Sequence, residues 1–495
     1  MQLSRLLERS DYKLMQGSLE TEVTSVVYDT RKEIVPGACF ICISGTVFDG
    51  HNYAKEAAQK GASVIVAERY VEVSQDVTLI VTDDNRKTLA QISAAWFGYP
   101  AEQLRMIGVT GTKGKTTTAC MIRSILLNAG IKTDLIGTIE ITVNGVATPA
   151  SHTTPESYVL QEYLRKMADA GTECVVMEVS SQGLKLSRVE GVTFDLAVFT
   201  NLEPDHIAPG EHPDFADYLY CKSLLFSRCR VGIANIEDKH FEEVFRNASC
   251  EIKTFGLVED ADYCAKNVDL YNADGVVGVQ FDMFRPDADA FAVTVDIPGK
   301  FNVYNALAAA TVCLQMGVPV DVIQNTMKTV AVRGRVELVP VSNQFSVMLD
   351  YAHNGMSLRS LLTTLREYRP KRLICLFGCG GNRAKDRRYD MGEVSSEYAD
   401  LTIVTSDNPR FEEPEAIIAD ILVGVRRKNG RYETIVDRKE AIRYVLRIAE
   451  EGDLVVIAGK GHEDYQEIRG IKYPMDDRIM IREAADELNL SERHM

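Results

Sequence analysis

The sequence predicts an α/β protein of three domains: a small N-terminal α/β domain, a central doubly wound domain of the phosphate-loop type, and a C-terminal Rossmann-like doubly wound domain. Three observations carry this. At 495 residues the chain exceeds what one hydrophobic core organises. Short apolar runs alternate with amphipathic stretches, the pattern of a parallel sheet covered by helices. Polar or glycine-rich triplets follow many of these runs, where open α/β sheets bind their ligands.

Within residues 1–100, the β-rich runs ACFICISG (38–45), ASVIVAER (62–69) and VTLIVTDD (77–84) are separated by polar helical stretches. The helix-like RKTLAQISAAWFG stops before Pro100, which sets the first boundary. Residues 101–331 read as the strand MIGVT, a glycine-rich turn, the helix TTTACMIRSILLNAG, and the strands DLIGTIEI, CVVMEVSS, LAVFTNL and VGIANIED. In the same domain DMFRPDADAFAVTVDIPG reads as an antiparallel addition and FNVYNALAAATVCLQMG as a helix. From 332 to 495, FSVMLDYAH, RLICLFGCGG, LTIVTSDNPR, ETIVD and DLVVIAGKG predict a further doubly wound sheet.

Asp plus Glu number 71 against 55 Lys plus Arg, a net charge of −16, which argues against an exposed basic track for nucleic acid. The N-terminal MQLSRLLERSDYK lacks the apolar segment of a secretion signal, and no run reaches the ~18 apolar residues of a membrane span. A cytoplasmic protein is expected. The 11 cysteines lie singly in apolar runs and read as buried reduced thiols, with a Cys375–Cys379 redox pair the weaker alternative.

The run MIGVTGTKGKTTT places a glycine-rich turn between a strand and a helix, the context of a phosphate-binding loop. Gly111, Thr112, Lys113, Gly114, Lys115, Thr116 and Thr117 are the candidates to hold ATP, with Lys115 supplying charge and Thr116 a hydroxyl for Mg²⁺. Val109 stands where the common form G-x-x-x-x-G-K-S/T has its first glycine. Glu178 follows CVVM and His206 lies in TNLEPDH after LAVF, so both belong at the sheet edge that carries the loop. Glu178 is a natural Mg²⁺ ligand and His206 a less usual one. The plainer readings are a cap or ion-pair glutamate and a structural histidine.

The succession GTKGKTTT, MEVSSQGL, TNLEPDH, CKSLLF, GKFNVYNALAAA, RGRVE, DYAH and GKGHEDY resembles the Mur ligase family along nearly the whole chain. The N-terminal YDTRKEIVPGACFICISG and FDGHNYA resemble its branch that adds the third amino acid of the peptidoglycan stem. The resemblance implies a monomeric ligase. It would use ATP to activate the D-glutamate carboxylate of UDP-N-acetylmuramoyl-L-alanyl-D-glutamate as an acyl phosphate, then join it to the amine of meso-diaminopimelate. It gives Lys115, Lys222 and His206 catalytic roles. Two Mg²⁺ ions would be held by Thr116, Glu178, His206 and Lys222, the lysine being carbamylated by CO₂. Tyr218 and Lys222 fall on one helical face, where Lys222 would otherwise read as a solvated side chain.

Asn302, Asn305, Arg335, Asp350 and His353 are implied on the adenine and ribose side of ATP. Helix capping by the asparagines and an ion pair of Arg335 with Asp350 are the alternatives. After DYAH the chain continues Asn354-Gly355, where many relatives have Thr-Pro.

For the sugar nucleotide, the matching positions are Thr30, Arg31, Asp49, Gly50 and His51 on the uridine and Thr153, Thr154, Ser180 and Arg188 on the muramoyl dipeptide. Thr153 and Thr154 before Pro155 equally suit a helix start, and Gln182 stands where relatives often have histidine. Asp407, Asn408, Pro409 and Arg410 resemble the signature of diaminopimelate-adding members, with Arg383, Gly459 and Glu463 completing the set. Arg410 would grip the distal carboxylate, which lysine lacks, and Glu463 the distal ammonium. Asp407-Asn408-Pro409 also favours a turn.

The rival readings are lysine addition, a folyl-polyglutamate synthetase-like ligase, and a catalytically silent ATP-binding protein. The hundred N-terminal residues oppose the second, and Lys115, Glu178, His206 and Lys222 together oppose the third. Closure of the domains is expected, to keep water from the acyl phosphate.

Overall fold

Runs rich in Val, Ile and Leu form the strands, and their burial decides which are central. The structure, a computed structural model, describes residues 1–45, 48–208, 210–273 and 276–490. It divides into two units, Met1–Gly256 with Ala308–Val318, and Leu257–Leu307 with Pro319–Met495.

In the first unit, β1 (Lys13–Gln16), β2 (Ser25–Val27), β3 (Ala38–Ile41), β4 (Ala62–Ala67) and β5 (Thr78–Val81) form a sheet of order β1-β5-β4-β3-β2. All neighbours are parallel except β1. The three expected runs are β3, β4 and β5; β1 and β2 are short strands that the apolar pattern did not mark. The helix Asn85–Trp96 is capped by Asp84, whose carboxylate accepts from Arg86 N and Lys87 N.

The next strands are β6 (Arg105–Thr110), β7 (Thr133–Ile136), β8 (Glu140–Val143), β9 (Val146–Pro149), β10 (Cys174–Glu178), β11 (Phe194–Phe199), β12 (Cys229–Asn235) and β13 (Glu251–Gly256). In this unit they run β13-β12-β11-β6-β10-β7-β8-β9. From β13 to β7 the neighbours are parallel, with β6 central between β10 and β11. DLIGTIEI, expected as one strand, is broken into β7 and an antiparallel β8. The cause is Glu178. Its Oε1 lies 2.7 Å from where a Cβ on Gly137 would stand and accepts from Thr138 N at 2.8 Å, so the chain turns around the carboxylate.

In the second unit, β14 (Tyr263–Ala273), β15 (Val276–Arg285) and β16 (Ala288–Val295) form an antiparallel meander, one strand longer than expected; the expected helix Phe301–Gln315 follows, its residues to Leu307 in the second unit and those from Ala308 in the first. The C-terminal sheet contains β17 (Glu337–Leu338), β18 (Ser346–Asp350), β19 (Leu373–Phe377), β20 (Leu401–Val404), β21 (Tyr432–Thr434) and β22 (Leu454–Ala458), in the order β17-β18-β22-β19-β20-β21. Every residue of β18, β19 and β22 is buried, as two covered faces require. A hairpin of β23 (Tyr465–Ile468) and β24 (Ile471–Pro474) follows, unmarked in the sequence because its strands are polar. Its turn uses Arg469 (φ 50°) and Gly470 (φ 79°), the positive pair that a two-residue hairpin loop needs.

All 11 cysteines are free thiols, and burial pushes Cys375 up to about 12. Among the described residues no helix is long and apolar enough to cross a membrane.

Two helix starts in the second unit are joined by a buried ion pair. Arg438 Nε and Nη2 meet Asp477 Oδ1 and Oδ2 at 2.8 and 2.7 Å, with the side chains 1% and 0% exposed. The same guanidinium reaches Ser406 O and Ala458 O, tying the ends of β20 and β22. Asp477→Ala leaves Arg438 buried and unpaired and is expected to cost about 3–5 kcal/mol in denaturant unfolding. Pairing it with Arg438→Met should recover much of that loss. A single variant of unchanged stability would refute this role.

Candidate functional site

Between β6 and the helix Lys115–Asn128 the chain makes a turn that only glycine allows. Gly111 has φ 146°, and a Cβ there would lie 1.9 Å from Thr200 Oγ1. Gly114, the residue before the helix, has φ 86°. The loop after β11 braces this turn. Thr112 N donates to Asn201 O and Lys113 N to Asn201 Oδ1, both at 2.9 Å, while Thr200 Oγ1 donates to Lys113 O at 2.7 Å. The amides of Thr112 and Lys113 are thus committed inside the protein. The anion-binding end is the helix start, whose first-turn N–H groups have no intrahelical acceptor.

Two ammonium groups converge on one carbonyl. Lys115 Nζ donates to Gly111 O (2.9 Å) and Thr112 O (3.0 Å), and Lys222 Nζ donates to Gly111 O at 2.8 Å. Lys222 is 2% exposed, on the helix Phe215–Ser223 with its Nζ 4.7 Å from the Tyr218 ring centre. Burial and the nearby Lys115 charge push its amine well below the usual lysine range.

Glu178, at the end of β10, is 1% exposed, and its carboxylate is met by neutral donors: Thr116 Oγ1 (2.9 Å), Thr138 N (2.8 Å) and Thr138 Oγ1 (3.0 Å). A buried carboxylate beside a phosphate-loop hydroxyl is a hard-oxygen donor set that fits Mg²⁺. His206 lies at the loop margin with φ 56°, its side chain 49% exposed, with Nδ1 3.2 Å from Glu211 Oε2 and its ring 6.1 Å from that of Tyr218. Tyr218 OH in turn lies 3.0 Å from Thr112 Oγ1.

Sequence reasoning passed over His212. It is buried, with Nδ1 2.6 Å from Asp217 Oδ2 and Nε2 2.9 Å from Ser181 Oγ. It groups with Asp217 and Cys221, but Lys185 Nζ, 2.7 Å from Asp217, already supplies the positive charge there. We assign this group a structural role.

Of the dipeptide candidates, Thr154 is fully buried: its hydroxyl donates to Glu178 O (3.0 Å) and accepts from Ser180 N (2.9 Å). Ser180 caps the helix Ser181–Lys185, Arg188 holds Thr154 O and Glu156, and Thr153 Oγ1 meets Thr138 Oγ1 at 3.1 Å. The helix after Pro155 begins only at Ser157, so the two threonines do not open it. Gln182 Nε2 is buried without a partner among the described residues.

In the N-terminal sheet, Asp49 pairs with Arg69 and His51, and His51 Nε2 accepts from Glu68 N, so its Nδ1 carries the proton. Gly50 is forced by Ile43 N, 2.7 Å from a Cβ built there. Thr30 is half-buried, and Arg31 is exposed and pairs with Asp29.

The second unit holds the remaining candidates, and two groups of them lie at the end of β18 and in the loop after β20. In the first, Asp350 is buried and accepts from Val336 N and Ala352 N, both at 2.8 Å. Burial raises its carboxyl above the usual range, with Arg335 opposing. No ion pair joins Asp350 to Arg335 among the described residues. Arg335 instead stands 5.4 Å from the Tyr351 ring centre, and the His353 and His462 rings lie 4.7 Å from Tyr351. Burial and Arg335 push His462 down to about 4. Asn302 Nδ2 donates to Pro298 O and Asn305 Nδ2 to Asn302 Oδ1, both at 2.8 Å.

The second group is the loop after β20. Asn408 Nδ2 donates to Glu463 Oε2 (2.8 Å), while Asn408 Oδ1 accepts from Lys460 Nζ (3.2 Å) and Glu467 N (2.8 Å). Lys460, 0% exposed, also reaches Glu463 and Tyr465 O. It lies inside GKGHEDY, next to Gly459 and three residues before Glu463. Gly459 (φ 108°) would put a Cβ 3.0 Å from Asp407 Oδ2, and Gly381 one 1.9 Å from Pro409 O. Arg410 (φ 52°) donates from Nε to Glu467 Oε2 (3.1 Å) and from Nη1 to Gly381 O (2.8 Å). Arg383 is exposed and joins none of these bonds.

Residues 22–97 match the family model described as Mur ligase family, catalytic domain; 109–313 match the Mur ligase middle domain; and 334–461 match the Mur ligase glutamate ligase domain. The UDP-N-acetylmuramoyl-L-alanyl-D-glutamate--2,6-diaminopimelate ligase of Syntrophomonas wolfei is 39% identical over 490 residues, covering 98% of this chain and 99% of its own. The like-named protein of Bacillus licheniformis is 40% identical over 482 residues, covering 95% and 96%. A solved structure of a ligase of that name superposes with a TM-score of 0.75 at 29% identity, covering 99% of this chain and 100% of its own. A folylpolyglutamate synthase from Mycobacterium tuberculosis shares the fold alone, with a TM-score of 0.56 at 16% identity over 83% of this chain and 96% of its own. Matched in all three domain models and in full-length relatives, this three-domain α/β chain belongs to the Mur ligase family.

Proposed function

We propose that the chain is an ATP-dependent ligase joining a 2,6-diaminopimelate, in its meso form, to UDP-N-acetylmuramoyl-L-alanyl-D-glutamate. The observation that carries the substrate choice is the loop Asp407–Arg410, an arginine-bearing turn held against Lys460 and Glu463, in a chain whose named relatives act on that amino acid. A guanidinium there suits a substrate with a second carboxylate.

In this reading the D-glutamate carboxylate oxygen attacks the γ-phosphorus of ATP, the bond to the β,γ-bridging oxygen breaks, and ADP leaves. The amine then attacks the acyl carbon of the acyl phosphate, phosphate departs, and the amine releases its proton. Two anions must meet in the first step, so the site has to offset their repulsion. Lys115 and the residues Gly111–Thr117 hold the phosphates, and Asn302, Asn305, Arg335, Asp350 and His353 serve the nucleoside. Thr116, Glu178, His206 and a carbamylated Lys222 would hold magnesium, which when bound adds positive charge between carboxylate and phosphate.

The depressed basicity of Lys222 supports carbamylation, because a neutral amine can attack CO₂, lose a proton and become an anion. Thr30, Arg31, Asp49, Gly50, His51, Thr153, Thr154, Ser180 and Arg188 are assigned to the sugar nucleotide, and Arg383, Asp407–Arg410, Gly459 and Glu463 to the amino acid. We keep the domain limits 1–100, 101–331 and 332–495 and a cytoplasmic setting, which suits 11 free thiols.

ADP and phosphate are expected only when the nucleotide dipeptide and a diaminopimelate are both present. Equal turnover with L-lysine would overturn the specificity, and ATP hydrolysis without the dipeptide would overturn the ligase reading. Lys222→Ala should lower kcat by about 10²–10³-fold. Bicarbonate or short-chain carboxylates should restore part of it, and full activity without them would remove the carbamate.

A further inference from the structure

We infer that Glu467 is a specificity-determining residue: its carboxylate occupies Arg410 in the free protein and must yield when the distal carboxylate of the incoming amino acid arrives. This rests on the ligase reading above and concerns a residue that reading does not use.

The contact is built rather than incidental. Arg410 and Glu467 are bound through the backbone as well as the side chains, since Arg410 N donates to Glu467 O at 3.0 Å and Arg469 N to Arg410 O at 2.6 Å. Glu467 N is held by Asn408 Oδ1, itself fixed by the buried Lys460. Arg410 keeps its φ of 52° under these bonds. The ion pair is 3.1 Å, with the two side chains 22% and 24% exposed, so a ligand can reach both.

The consequence concerns discrimination. A guanidinium with no partner would reject lysine by being left bare, but this one has a carboxylate of its own. An amino acid without a distal carboxylate can leave the Arg410–Glu467 pair intact. One that has it gains only the difference between two similar ion pairs, and its carboxylate is repelled by that of Glu467. Glu467 therefore weakens diaminopimelate binding and narrows its margin over lysine.

The test is steady-state kinetics of Glu467→Gln and Glu467→Leu with diaminopimelate and with L-lysine, at low salt, alongside melting curves. Both variants should lower KM for diaminopimelate about three- to tenfold with kcat within about twofold, and widen the kcat/KM ratio over lysine. The leucine variant matters because glutamine can still accept from Arg410 Nε. A raised KM in both would mean that Glu467 receives the substrate's ammonium, and an unchanged KM that it only holds the hairpin; either overturns the inference. Wild-type protein that turns over no amino acid sinks the ligase reading itself, whereas an active wild type with those variant results sinks only the role of Glu467.

Discussion

The close approach of Gly111 to Thr200 is the constraint on which the phosphate-loop site depends. With β6 and β11 adjacent and parallel, the loops that leave them interlock through Thr200, Asn201, Thr112 and Lys113. No side chain fits at 111. The interlock fixes the Gly111 carbonyl, and that one oxygen then receives both Lys115 and Lys222. Placing two like charges on one acceptor, with Lys222 out of water, disfavours the second charge. The same packing that shapes the loop thus holds the Lys222 amine well below the usual lysine range.

Buried ionisable groups of two kinds stand out among the described residues. Arg438 with Asp477, and Arg388 with Glu412 and Asp420, are charges met by opposite charges in good geometry, and they pin helices and strand ends. Among the described residues Glu178 has only hydroxyl and amide donors, Asp350 only backbone amides in direct contact, and Lys222 a carbonyl. A charge stabilised by neutral dipoles alone is open to a further partner, and those three residues sit at strand ends or beside the phosphate loop. Lys460 is intermediate, sharing Glu463 with Asn408 and so organising the loop after β20 without facing solvent.

The sequence by itself determined the parallel core, because short continuous apolar runs such as CVVM and LICLF, alternating with helical stretches, read as strands buried on both faces. It also located the phosphate loop, since glycine at 111 and 114 is a local backbone requirement legible in one dimension. It could place Glu178 and Asp350 at strand ends but not say what they touch. Only the tertiary structure decided that the chain turns around Glu178 between β7 and β8, that Thr154 is a buried pin, that His212 is bound to Asp217 and Ser181, and that a polar hairpin carries Glu467 to Arg410. The physical reason is range. Periodicity and turn chemistry report forces within a few residues, whereas Thr116 meets Glu178 across 62 positions and Arg410 meets Glu467 across 57, contacts that exist only once the sheets have formed.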